Sequence, residues 1–60
     1  MEDRLRDIRE AAERLGIKPR TVRRWVFLRK VDYVKLGSLV RIRDSEIARI
    51  IAEGTVRRIR

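Results

Sequence analysis

Apolar positions recur along the chain in short blocks divided by polar or glycine breaks. Ile8, Ala11, Ala12 and Leu15 fall at i, i+3, i+4 and i+7, which predicts a helix over 8–15. Asp7 is a good N-cap, and Glu10 three places on completes a capping-box pattern. Gly16 supplies the left-handed stop, and Leu5 is expected to pack just before the cap. Val22, Trp25 and Val26 predict a second helix, opening on Pro19 and ending near Leu28 or Arg29. Lys18 is a poor N-cap for it. No glycine follows it, so its C-cap is not expected to be a standard one.

Residues 33–42 read as a hairpin, because Val34 and Leu36 alternate with Lys35, and Val40 and Ile42 with Arg41. A two-residue loop, Gly37-Ser38, would oppose Val34 with Arg41 and put a charge on the core face. A three-residue loop pairs Leu36 with Val40 and Val34 with Ile42, leaving Lys35 and Arg41 on a shared outer face and Leu39 exposed at the tip. That register is expected, because it keeps the apolar residues inside. A third helix is expected to be N-capped by Asp44, to run to about Glu53 on an apolar face of Ile47, Ile50 and Ile51, and to stop at Gly54. The expected core is Ile8, Ala12, Leu15, Val22, Trp25, Val26, Leu36, Val40, Ile42, Ile47 and Ile51. Helix, turn, helix, β-hairpin, helix is the order of a small α+β winged helix-turn-helix domain, expected over 1–54 with a basic tail at 55–60.

Charge placement changes the picture. The formal net charge is +8, and residues 17–43 carry nine bases against one acid, Asp32. Residues 1–16 mix both signs, as a solvated helix does. A segment of nearly one sign repels itself unless a polyanion neutralises it, which points to nucleic acid. There is no cysteine and no histidine, which removes thiolate and imidazole metal ligands and the commonest general base. No metal, cofactor or small-molecule ligand is expected, and no catalysis. Tyr33 is the single tyrosine and has no histidine or arginine constellation for strand transfer around it. No apolar run approaches the roughly 20 residues of a membrane span, and no signal peptide is visible, so a soluble cytoplasmic protein near the nucleoid of a prokaryotic or phage-host cell is expected.

The run Glu10-Ala11-Ala12-Glu13-Arg14-Leu15-Gly16-Ile17-Lys18-Pro19-Arg20-Thr21-Val22-Arg23-Arg24-Trp25-Val26, then Val34-Lys35-Leu36-Gly37 and Val40-Arg41-Ile42, resembles the excisionase and MerR-like DNA-binding domain. The resemblance runs without gaps from about Asp7 to Ile51. It implies that the second helix enters the major groove and that the wing lies on the neighbouring minor groove or backbone. Carried over, Pro19, Arg20, Thr21, Arg23 and Arg24 match the recognition surface, and Lys35 and Arg41 the wing strands. The chain departs from the pattern at Lys18 where a capping serine is usual, at Arg29 where a glycine ends the helix, and at Asp32 where a proline is common. Ser38 and Leu39 replace basic residues at the wing tip.

Arg20 and Arg24, one turn apart, could each fork onto guanine O6 and N7, or could touch phosphate alone. Thr21 could meet a phosphate, a thymine methyl or its own backbone. Lys18, Arg23, Lys35 and Arg41 read as phosphate binders, while Arg29 and Lys30 could be the same or merely solvated. Two readings stand for Phe27, under the DNA edge or against the hairpin. Leu39 could be a minor-groove wedge, a contact to another copy, or simply exposed. Arg57, Arg58 and Arg60 are candidates for a protein or phosphate contact, and Val56 and Ile59 for touching an adjacent copy. The resemblance implies an excisionase, a recombination directionality factor that binds and bends duplex DNA with other copies of itself and steers an integrase. No effector domain or dimerising coiled coil is expected in a chain of this length, and since classical MerR-type regulators need both, the excisionase is the favoured expectation. The alternatives are a small repressor, the isolated domain of a larger recombinase or regulator, and an RNA- or ribosome-binding module.

Overall fold

Residues 3–55 are described by the computed structural model of the chain. Within them the elements follow as β1 (Leu5–Arg6), α1 (Ile8–Leu15), α2 (Pro19–Phe27), β2 (Val34–Leu36), β3 (Leu39–Arg43) and α3 (Asp44–Gly54). The three strands form an antiparallel sheet in the order β1-β3-β2. This is a small α+β winged helix-turn-helix fold.

The start of α1 is a complete capping box. The Asp7 carboxylate accepts the Glu10 N–H at 2.7 Å, and the Glu10 carboxylate accepts the Asp7 N–H at 3.1 Å. Gly16 closes the helix at φ 70°. Lys18 contributes no side-chain cap to α2. The exit of α2 differs from expectation. The Lys30 N–H reaches the Trp25 carbonyl at 2.8 Å and the Arg29 N–H the Val26 carbonyl at 3.1 Å, the two bonds of a Schellman motif. Arg29 holds the left-handed seat at φ 58°, where glycine would sit without strain.

The core is Ala11, Ala12, Val22, Val31, Ile42 and Ile47, flanked by Ile8, Leu15, Ile17, Trp25, Val26 and Ile50. Helix α1 is its hub and packs on α2, α3 and β3. Ala11 and Ala12, adjacent on α1, are almost wholly buried there.

Several expectations are corrected. The hairpin pairs Leu36 with Leu39, Lys35 with Val40 and Val34 with Arg41, so the loop is the two-residue Gly37-Ser38. Gly37 sits at φ 63°, which glycine adopts freely. Strand β2 is an edge strand outside the core, so burial of its leucine does not dictate register and the tight turn does. Leu36 is accordingly 50% exposed rather than core. Ile51 is 50% exposed as well, because α3 buries only its first turns and every described residue from Ile51 onward is exposed. Asp44 does not cap α3. Its carboxylate takes a two-point bond from Arg6, at 2.8 and 3.1 Å. The cap comes from Asp3, which accepts the Ser45 N–H at 2.9 Å and hydroxyl at 2.6 Å. Strand β1 is an addition, and the Asp44 N–H bonded to the Arg4 carbonyl at 2.9 Å extends its pairing.

Candidate nucleic-acid interface

Helix α2 divides its residues by face. At about 100° per residue, Val22, Trp25 and Val26 fall on one side and Arg20, Arg24 and Phe27 on the other, with Arg23 beside them. Val22 is buried and Trp25 and Val26 are half-buried against the core. Lys18, Pro19, Arg20, Arg23 and Arg24 are exposed, and Thr21 is half-buried. On the wing, Lys35, Ser38 and Leu39 are exposed. Arg41 is half-buried, and its guanidinium donates to the Val40 carbonyl at 2.9 Å.

Directly opposed residues of an antiparallel pair project to the same side. Lys35 therefore lies with Val40, and Arg41 with Val34, so the two wing cations occupy opposite faces rather than a shared one. Two grooves lie between α2 and the wing, and Val40 borders both. One, of about 400 Å³, brings Asp7, Arg9 and Arg23 beside Ser38, Leu39 and Arg41 at the wing tip. The other, of about 520 Å³, brings Arg23, Phe27 and Arg29 beside Tyr33 and Lys35. Arg23 borders both, whereas Arg20 and Arg24 line neither.

The ion pairs lie outside α2 and the wing. Among the described residues the ion pairs join Arg6 to Glu10 and Asp44, and Arg49 to Glu46 and Glu53. The Arg6 guanidinium holds the Asp44 carboxyl below the usual carboxylate range, and the Ser45 hydroxyl and N–H do the same for Asp3. Bonds from Arg49 lower Glu46, against the opposing effect of its burial. These acids are committed to caps and pairs in α1, β1 and α3. None of the described cations of α2 or the wing is in an ion pair. The positive field over α2 and the wing is thus left for an external anion.

The pattern of the chain did not reveal Arg9 in the first groove, Tyr33 in the second, or the buried Glu46 and Val31 that hold the segment between them. Arg29 in a glycine's place was the one available signal for the second groove. Phe27 is 83% exposed, which settles it away from the hairpin core. The basic tail, with Val56, Arg57, Arg58, Ile59 and Arg60, lies outside the described residues. Among the described residues no helix is long and apolar enough to cross a membrane.

The family model of the helix-turn-helix domain matches residues 7–59. No curated protein and no solved structure matches the chain.

Proposed function

The chain belongs to the helix-turn-helix domain family, a family of DNA-binding domains, and on that premise we propose that it reads duplex DNA in sequence and acts as an architectural excisionase. In this reading α2 enters the major groove. Arg20 and Arg24 face base edges, and Thr21 meets the backbone or a thymine at the helix start. Lys18, Pro19 and Arg23 follow the flanking strand. The wing, through Lys35, Ser38, Leu39 and Arg41, lies on the adjoining minor groove and backbone. The domain spans 1–54, and the tail arginines Arg57, Arg58 and Arg60 serve a second copy or an integrase.

The observation that carries the reading is the exposed cationic face of α2, without an acid partner among the described residues. Support for the architectural role comes from the resemblance to excisionases and from the wing tip. There Leu36 and Leu39 oppose each other across the turn, both about half exposed. An apolar tip of this kind suits insertion at a base step, and bending a site costs on the order of 1–6 kcal/mol that such contacts offset.

The test is selection of binding sites from a randomised duplex pool, followed by circular-permutation bending on one site and on tandem sites. A bend of tens of degrees with cooperative filling is the expected result. Straight, independent binding would instead favour the small repressor. Equal competition by structured RNA would remove the duplex-DNA reading.

A further inference from the structure

Phe27 is the most exposed of the large apolar side chains in the described residues, at 83%. Its placement is not random. It lies seven residues after Arg20 and three after Arg24, so all three share one stripe of α2, opposite buried Val22. An aromatic ring therefore ends the arginine row that faces outward.

The surroundings select what the ring can meet. The groove beside Phe27 is bordered by Arg23, Arg29 and Lys35, and no acid lines it. An acidic or neutral apolar partner could fill the floor, but the rim asks for an anion along its length. Arg29 adds a second, independent sign. It holds a left-handed φ of 58° that glycine would hold without strain, and its side chain borders this same groove. A nucleic-acid strand meets both demands, with phosphates for the cations and an apolar group for the ring.

The geometry points to Phe27 as a specificity residue that recognises the C5-methyl of a thymine at the far end of the α2 footprint. This inference rests on the duplex-reading proposal above. The distance fits: seven residues of helix rise about 10 Å, on the order of three base-pair steps from the base that Arg20 faces. The chemistry fits too, since the thymine methyl is the apolar feature of the major-groove edge, and phenylalanine is among the side chains that meet it. Hydrogen-bonding arginines fix guanines at one end, while an apolar contact fixes a thymine at the other.

The test uses the full chain and a duplex selected by it from a randomised pool. Each thymine of the site is replaced in turn by deoxyuridine, which removes the methyl and leaves the pairing intact. Wild-type protein is expected to lose about fourfold in affinity at one thymine, the effect of one buried methyl-sized group. F27A is expected to bind thymine and uracil equally there, and F27L to keep part of the preference. Phe27 is solvent-exposed, so an unchanged thermal melt of F27A would verify that the fold is intact. Overturning results are an F27A protein that keeps the wild-type thymine-to-uracil ratio everywhere, or a selected site with no uracil-sensitive position. If R20A and R24A also leave sequence preference untouched, the duplex-reading proposal fails with it. If R24A relaxes the preference and F27A does not, only the methyl contact fails.

Discussion

The Glu46 carboxylate, 7% exposed at the start of α3, accepts the backbone N–H of Asp32 at 2.9 Å. It also takes two bonds from Arg49 one turn along. The segment between α2 and the wing is thereby tied to the third helix, with buried Val31 beside the tie. The angle between the arginine face and the wing depends on this anchor, although neither residue belongs to the interface.

Glu46→Ala should therefore loosen the wing without touching the cationic face. It leaves the Asp32 N–H without its partner in a partly buried site, at a cost of about 1–3 kcal/mol. Chemical denaturation should report the loss. Glu46→Gln keeps an acceptor oxygen and should retain part of it. The salt dependence of DNA binding should keep its slope in both variants, since no cation of the interface is removed. A slope changed by Glu46→Gln would mean that the carboxylate acts on the bound anion rather than on the loop.

Acid should unfold the domain through Asp3, Asp44 and Glu46. All three carboxyls are held below their ordinary range, by Ser45, Arg6 and Arg49 respectively. Unfolding returns them to ordinary values near about 4. The unfolded chain then takes up protons first as pH falls, so the stability they add is complete above about pH 5. It is lost as pH drops through about 4 toward the lower folded-state values. The chain has no histidine, the side chain whose ordinary value lies between pH 5 and 8. Urea midpoints should be level from pH 6 to 8 and fall steeply below about 4.5. Asp44→Asn should shallow that fall. A level midpoint down to pH 3 would show that these bonds do not persist in solution.

Helix α1 was legible because everything that defines it is local: the capping box of Asp7 and Glu10, the apolar spacing and Gly16. The outward arginines of α2 were legible for the same reason, since face follows from helical period alone. The wing register was not. The sequence argument for it rests on which side chains ought to be buried, and β2 lies beyond the reach of the core, so that premise does not apply to Leu36. The links that seat the wing and α3 were invisible for another reason. Asp3 to Ser45, Arg6 to Asp44 and Asp32 to Glu46 join positions far apart in the chain, and no periodicity marks a polar pair of that kind. Strand β1, two residues long, is too short to show alternation.

Arg29→Gly should separate stability from affinity. Holding a non-glycine residue at φ 58° costs roughly 1–2 kcal/mol, and glycine's greater freedom in the unfolded chain takes back about 0.5–1 of that. A net gain of about 0.5–1 kcal/mol is expected for the glycine variant. Arg29→Ala keeps the strained backbone and should gain nothing. Both variants should bind DNA more weakly than the wild type, because both lose the cation at the groove. An Arg29→Gly protein with wild-type affinity would reduce Arg29 to an unhelpful cap.

Arg24 and Lys35 provide the sharpest contrast within the interface, because the fold gives them different neighbours. Arg24 stands on the outward stripe of α2 with Arg20, borders neither groove and has no ion-pair partner among the described residues. Lys35 stands on the edge strand, exposed, beside the groove that the wing forms with α2. A lysine there offers a point charge on a flexible stem, which suits a phosphate and carries no sequence information. Lys35→Ala should weaken all duplexes alike and lower the log–log salt slope by about one from a wild-type value reflecting about five to eight neutralised phosphates. Arg24→Ala should instead narrow the gap between the selected site and random duplex, by about 1–3 kcal/mol if its guanidinium forks onto a guanine. Titrations of both variants at several salt concentrations, on selected and scrambled duplexes, separate the two effects. If Arg24→Ala lowers both affinities equally, Arg24 grips phosphate and base reading falls to Arg20 and Phe27.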